Sequence, residues 1–376
     1  MGLLINQLDE HNEGNILATT RYKVNEVIFI RQNNQVDLID NIKNYYNKNF
    51  PTVKMNDVII EEGEIDKLTD LVKRNRSDDL IINVTGGKRI NSLALLELSI
   101  KSNIKAIYTD VKNKKIYTFN NGIDLTYEEF DDLDIKDIIN AAGGELVEDS
   151  SELCNKKDLI YLSEQIYKHL DIWNKHKQKL YDTNIFKHIE EAPNKIEINI
   201  KLLTQEEKVL LNNILKKLED MNELQYTEKN ENIEVTFLNK YIKGFIFKSG
   251  TWLEIATNNL IKKIKEIDEA RNGVVFLWSN ENRTVRNEVD VVAVKDSVPI
   301  VISCKDSEKY NEMALNELNV YANKIGGKNA YKILVATREP CKGPVSIRAK
   351  EMGIHIVIFD GDENKFIKNI KAIIDK

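Results

Sequence analysis

Two apolar runs near the end of the chain carry the residues best suited to chemistry. In EVDVVAVKDSVPIVISCKD (288–306), Asp290 stands near the start of one run and Lys305 near the end of the next, with a turn between. Successive side chains on a strand point to opposite faces. Glu288 and Asp290 therefore share a face, Val301, Ser303 and Lys305 share one, and Ile302 and Cys304 take the other. Ionised side chains aimed at a sheet core are costly unless paired or put to use. An Asp on one strand and a Lys at the end of the next meet where a hairpin splays. A divalent cation on Asp290 would polarise a phosphodiester and activate a water, and Lys305 would orient that water or neutralise charge growing on the phosphate. The plainer reading of the pair is a salt bridge at a strand end. Cys304 faces the apolar side with no histidine near it in sequence, which weighs against a nucleophilic thiol.

A second stretch, NVTGGKRINSL (83–93), reads as strand, double glycine, helix. Glycines let a ligand approach the backbone, and the free N–H groups of a helix start favour anions. Lys88 and Arg89 add positive charge. A Walker A loop would need glycine at position 82, which is Ile82, and Ser or Thr at position 89, which is Arg89. The plainer reading is a tight turn that requires glycine.

These two motifs need scaffolds. With 376 residues, 42% hydrophobic and 30% charged, the chain has room for two or three domains with real cores. No apolar run reaches membrane-spanning length and MGLLINQLDE lacks a leader pattern, so the expected compartment is the cytoplasm and no membrane partner is expected. Cys154, Cys304 and Cys341 are too scattered for a disulfide framework or zinc site. The net charge of −6 argues against whole-surface binding of nucleic acid but not against a local basic channel.

Up to about residue 145, strands at 3–8, 24–32 and 79–87 alternate with helices such as 35–50, followed by a hairpin at 105–119. That alternation predicts an α/β, Rossmann-like parallel sheet. Residues 156–190, free of Gly and Pro, predict a long helical connector. TQEEKVLLNNILKKLEDM opens with a capping box from Thr204 to Glu207, and IEVTFL and YIKGFIF predict two strands after it. A helix is expected over 250–273, ended by Gly273, and then strands and helices to the C-terminus. Trp252 and Trp278 read first as core; with Tyr321 and Lys324 they are also candidates for a stacking channel.

Asp290, twelve intervening residues, then Ser303-Cys304-Lys305 resembles the D…(D/E)xK core of restriction-endonuclease-like nucleases. Glu254 in TWLE sits where that family often adds a glutamate from the preceding helix. Ser303 departs from the pattern, standing where the family usually has a carboxylate. The TGGK turn after the fourth strand, with the polar loop Asp9 to Asn12 after the first, resembles a CARF domain, the cyclic oligoadenylate sensor of type III CRISPR systems. Together the halves resemble the CRISPR-associated CARF-domain ancillary nucleases, with domain order as a large part of the likeness.

The resemblance implies a CARF sensor over 1–150, a helical connector over 151–195 and a restriction-endonuclease-like α/β domain over 196–376. It implies an endonuclease, activated by cyclic tetra-adenylate and dependent on Mn²⁺ or Mg²⁺, that cuts single-stranded RNA or DNA as a homodimer. Metal would fall to Glu254 and Asp290, and catalysis to these with Ser303 and Lys305. Gly86, Gly87, Lys88 and Arg89 would meet the ring's phosphates, and Asp9, Asn12 and Thr85 its riboses or bases. Two alternatives stay open: a CARF-containing DNA-binding regulator that cuts nothing, its wing built from residues 204–247, and a nuclease silenced by Ser303.

Overall fold

The computed structural model describes residues 2–120, 124–239, 241–247, 250–278 and 286–375. The alternating N-terminal pattern folds as β1 (Leu3–Gln7), α1 (Glu13–Tyr22), β2 (Glu26–Arg31), α2 (Val36–Asn49), β3 (Lys54–Ile59), α3 (Ile65–Arg74), β4 (Leu80–Asn83), α4 (Arg89–Ser102), β5 (Lys105–Asp110), β6 (Lys115–Asn120) and β7 (Asp124–Glu128). Their sheet runs β3-β2-β1-β4-β5-β6-β7, parallel from β3 to β5 and antiparallel beyond. Strand order reverses between β1 and β4. One face buries Ile5, Ile28, Ile30 and Ile82 with Leu68, Val72 and Leu95 from α3 and α4. The other buries Leu4, Val27 and Phe29.

After α5 (Ile135–Ala141) and β8 (Glu145–Glu148) come α6 (Lys157–Lys168), α7 (Leu170–His176), a 3₁₀ turn over Lys177–Tyr181, β9 (Phe186–His188), β10 (Lys195–Asn199), α8 (Gln205–Asp220), β11 (Leu224–Lys229), β12 (Asn232–Phe237) and α9 (Tyr241–Phe247). The helix expected over 156–190 breaks at His169 (φ −122°, ψ 38°) and gives way to β9. Leu159, Leu162 and Tyr167 before the break and Leu170 after it all enter one core, and the Tyr167 hydroxyl donates to Glu363 Oε1 at 2.6 Å.

YIKGFIF, expected as a strand, is α9. Asn239 Oδ1 accepts from the N–H groups of Tyr241 and Ile242, and the buried residues Ile242 and Phe245 lie three apart. A helix start and helical burial here outweigh a strand-like composition. The capping box at Thr204 and Glu207 is present as expected. Strands β9 to β12 form an antiparallel sheet ordered β11-β12-β10-β9, in which LQYTEK supplies a strand the sequence pattern had not marked.

The last sheet collects β13 (Glu269–Leu277), β14 (Asn287–Lys295), β15 (Val298–Lys305), β16 (Tyr331–Ala336) and β17 (Ile354–Ile358), with α10 (Thr251–Ile261), α11 (Glu312–Gly326), α12 (Gly343–Glu351) and α13 (Glu363–Ile374). Its order is β17-β16-β15-β14-β13-β8, so residues 145–148 join this sheet rather than the first. α10 stops well before Gly273. Pairing with β14 from Glu269 onward draws that segment into β13, and Gly273 (φ +53°) lies inside the strand beside Asp290. The β14–β15 hairpin turns at Asp296 and Ser297, both left-handed (φ 51° and 65°), as a two-residue type I′ turn requires.

On β15, Ile300, Ile302 and Cys304 enter the core on the α10 and α13 side, and Val301 enters the core that holds Leu315 and Leu318 of α11. That second core runs on to Leu4 and Phe29, so the first and last sheets share it. Among the described residues no helix is long and apolar enough to cross a membrane.

Candidate functional site

Register places Asp290 beside Ser303: the flanking pair is Val291 with Ile302. Asp290 Oδ2 accepts the Cys304 backbone N–H at 2.6 Å and the Ser303 hydroxyl at 3.1 Å. Lys305 Nζ lies 3.9 Å from the same oxygen. Both side chains stay partly open, with Lys305 32% and Asp290 24% exposed, so the pair is reachable from solvent. Two donors on Oδ2 fix the carboxylate and leave Oδ1, which has no hydrogen bond among the described residues. Ser303 thus acts as a hydrogen-bond brace for Asp290 in the position where a second acid was to be expected.

A cleft of about 330 Å³ opens over this pair, lined by Glu254 at the start of α10, by Glu288, Asp290, Ser303 and Lys305, and by Glu317 and Tyr321 of α11. All four residues expected to do chemistry meet there. Glu317 escaped the sequence reading because it lies on a helix after the motif; its pairing with Tyr321 one turn on (3.4 Å) was the only local signal. Trp252 is only 1% exposed and belongs to the core, whereas Tyr321 reaches the cleft. Cys304 turns away, its Sγ 3.6 Å from Thr257 Oγ1. Burial and the nearby Asp290 push that thiol well above its usual range, which disfavours the thiolate a nucleophile needs.

The donor set suits a hard cation. Carboxylate oxygens line an open polar cleft, and Mg²⁺-like ions are held by one or two carboxylates while keeping several waters; Asp290, Glu254, Glu288 and Glu317 are the carboxylates this cleft offers. Among the described residues, the only acidic trio with oxygens within 4.8 Å is Asp132, Asp268 and Asp296 at the tip of the β14–β15 hairpin. Lys114 already pairs with two of its members, 2.6 Å from Asp132 and 3.1 Å from Asp296.

The second site follows from the winding of the first sheet. Where strand order reverses, loops on the carboxyl side part and leave a crevice. The β1–α1 and β4–α4 loops flank it, and a cavity of about 460 Å³ is lined by Gln7, Asp9, Arg31, Gln35, Gly87, Lys88 and Asn91 among others. Gly87 is left-handed (φ +75°), and a Cβ there would stand 2.5 Å from Gln7 Cβ, so glycine is obligatory. Lys88 and Arg89 are exposed at the start of α4. Arg31, Gln35 and Asn91 were not marked by the sequence, although the strand-end rule would have pointed to the β2–α2 loop.

Two expected contact residues serve the frame instead. Asn12 is fully buried, its amide donating to the carbonyls of Asp9 (2.5 Å) and Ala141 (3.3 Å). Thr85 Oγ1 accepts from Thr109 N–H at 2.7 Å and is hydrogen-bonded to Asn83 Oδ1. Asp9 takes an unforeseen part: its Oδ2 accepts the Gly87 N–H at 3.0 Å, filling the amide expected to meet a phosphate.

With this geometry in hand, the C-terminal part can be set beside a known family. Residues 243–374 match the family described as Card1-like, endonuclease domain. The match takes in every residue that lines the cleft. Ahead of that domain the likeness is one of fold. The whole chain superposes on Can2 from Sulfobacillus thermosulfidooxidans, solved in complex with cyclic tetra-adenylate, with TM-score 0.75, 17% identity and full coverage of both chains. It is similarly close to protein VC1899 from Vibrio cholerae (TM-score 0.74, 18% identity, 100% of this chain and 97% of that one). A type III CRISPR defence DNA nuclease activated by cyclic oligoadenylate matches at TM-score 0.56 and 16% identity over 92% of this chain and 47% of its own. No curated protein matches the chain. The resemblance to CARF-domain ancillary nucleases stands at the level of fold, and the matched residues include the Asp290–Lys305 hairpin and Glu254.

Proposed function

We propose that the chain is a cyclic oligoadenylate-activated, metal-dependent endonuclease of type III CRISPR defence that cuts single-stranded RNA or DNA without sequence preference. The observation that carries this reading is the cleft in which Asp290, Glu254 and Lys305 converge inside a Card1-like endonuclease domain. A Mn²⁺ or Mg²⁺ ion on Asp290 and Glu254 would supply Lewis acidity to the scissile phosphate. The chain's own part is to hold Asp290 in one rotamer through Ser303 and the Cys304 amide, and to keep Lys305 beside it as a fixed positive charge for the phosphate and the attacking water. The bound cyclic tetra-adenylate of Can2, on the same fold, supports assigning the crevice at Gly87 and Lys88 to that activator.

A ring with two-fold symmetry suits two copies of that crevice. Ile90, Leu93 and Ile100 are exposed along one stripe of α4, directly after the crevice, and support a homodimer formed on that face. The regulator reading has less behind it, since α8 carries Lys208, Lys216 and Lys217 against Glu206, Glu207, Glu219 and Asp220.

The test is cleavage of labelled single-stranded RNA and DNA with Mn²⁺, with and without cyclic tetra-adenylate. Cutting that needs both additions is expected; duplex DNA binding without cutting would transfer the case to the regulator. A second prediction concerns Asp9. A phosphate reaching the Gly87 N–H has to displace its carboxylate, so Asp9→Asn should tighten activator binding several-fold, about 1 kcal/mol, in calorimetric titration. Weaker binding would make Asp9 a direct ligand contact instead.

A further inference from the structure

Asp306 follows Lys305 directly at the end of β15, and its carboxylate is wholly buried. Buried charge is costly unless every lone pair is met. Here each one is. Oδ2 accepts the indole N–H of Trp173 at 2.7 Å and of Trp252 at 2.9 Å. Oδ1 accepts from Lys177 Nζ at 2.7 Å and from the Thr337 hydroxyl at 3.0 Å. Lys177 Nζ also donates to the Asp306 carbonyl at 2.6 Å. With its acceptor sites spoken for, Asp306 is not available as a metal ligand.

The origin of the four donors gives this carboxylate its meaning. Trp252 lies two residues before Glu254 in the first turn of α10, and Thr337 follows β16. Trp173 belongs to α7, and Lys177 to the turn after it. One carboxylate therefore ties Lys305's strand end and Glu254's helix to the segment linking the two halves of the chain. An apolar residue of the same size would fill the space at lower cost, so packing alone does not explain a charge here. Withdrawal of α7 and the turn after it would take two of the four donors from the carboxylate and undo the arrangement that fixes it.

We propose that Asp306 is a positioning residue through which the docked α7 segment sets the spacing of Glu254 and Lys305 in the cleft. The inference rests on the endonuclease reading, and its test separates the two. In the full-length protein, Lys177→Met removes a donor without touching the cleft, Trp173→Phe removes an N–H while keeping the ring's packing, and Lys177→Arg is the conservative control. Mn²⁺ affinity is measured by calorimetry without substrate, kcat and KM on single-stranded substrate with saturating cyclic tetra-adenylate, and folding by thermal melting. Lys177→Met is expected to weaken Mn²⁺ binding and lower kcat by roughly tenfold or more at unchanged KM, as loss of an outer support does. Lys177→Arg should recover most of both, and Trp173→Phe should fall between. Parental Mn²⁺ affinity and kcat in Lys177→Met and Trp173→Phe overturn the inference, as do losses that merely follow melting temperature and are not relieved by Arg. A parent that binds Mn²⁺ but cuts no strand overturns the endonuclease reading instead, and the affinity comparison still decides the role of Asp306.

Discussion

Asp290→Ala is expected to lower activator-dependent cleavage by about three orders of magnitude or more, a loss of about 4 kcal/mol of transition-state stabilisation. The side chain does two things that alanine cannot. It is the cleft carboxylate opposite Ser303 with one oxygen left for a cation, and it lies within 3.9 Å of Lys305. The measurement is initial cleavage rate on single-stranded RNA and DNA at saturating Mn²⁺ and cyclic tetra-adenylate, alongside binding of the activator. Activator binding should be untouched, because the crevice at Gly87 belongs to the other sheet. A variant that still cuts near the parental rate would remove Asp290 from the chemistry and return it to the salt-bridge reading.

Gly87→Ala carries the second-largest effect, and it acts on the opposite half. A left-handed backbone costs an L-residue about 1–2 kcal/mol. The new methyl would also stand 2.5 Å from Gln7 Cβ, which is anchored at the end of β1 and cannot swing aside. Relief requires the turn to move, and with it the Gly87–Asp9 hydrogen bond and the start of α4. The activator concentration for half-maximal cleavage should therefore rise by about ten- to a hundredfold, while cleavage at saturating activator stays close to parental. A dose–response curve in cyclic tetra-adenylate checks it. An unmoved midpoint would mean that the ligand sits elsewhere on the sensor sheet.

How far the chain could be read in advance differed by element, for physical reasons. Strict alternation and a two-residue turn made the Asp290–Lys305 hairpin legible, down to which side Cys304 faces. The glycine pair after β4 was legible because only glycine tolerates that turn. The break at His169 was not, since no Gly or Pro stands in residues 156–190 to mark it. YIKGFIF misled because its composition favours a strand while Asn239, outside the apolar run, starts a helix. At the sites, Glu317 and Arg31 come from segments remote in sequence, and only the fold brings them alongside. Asn12 and Thr85 were expected at the ligand because of the CARF resemblance, whereas in the fold their hydrogen bonds go to neighbouring segments of the chain.

The place of β8 bears on how such a chain can be inherited. Its four residues lie before the linking helices, yet they cover the outer edge of β13 in the last sheet. Uncovered, β13 would offer a row of open amides and carbonyls for a neighbouring chain to pair with. Genetic exchange that replaced the N-terminal half as a block ending after residue 150 would carry off that strand and substitute a stranger's. A crossover that leaves the last sheet intact has to fall before Glu145, so the heritable unit is longer than the stretch that matches the endonuclease family.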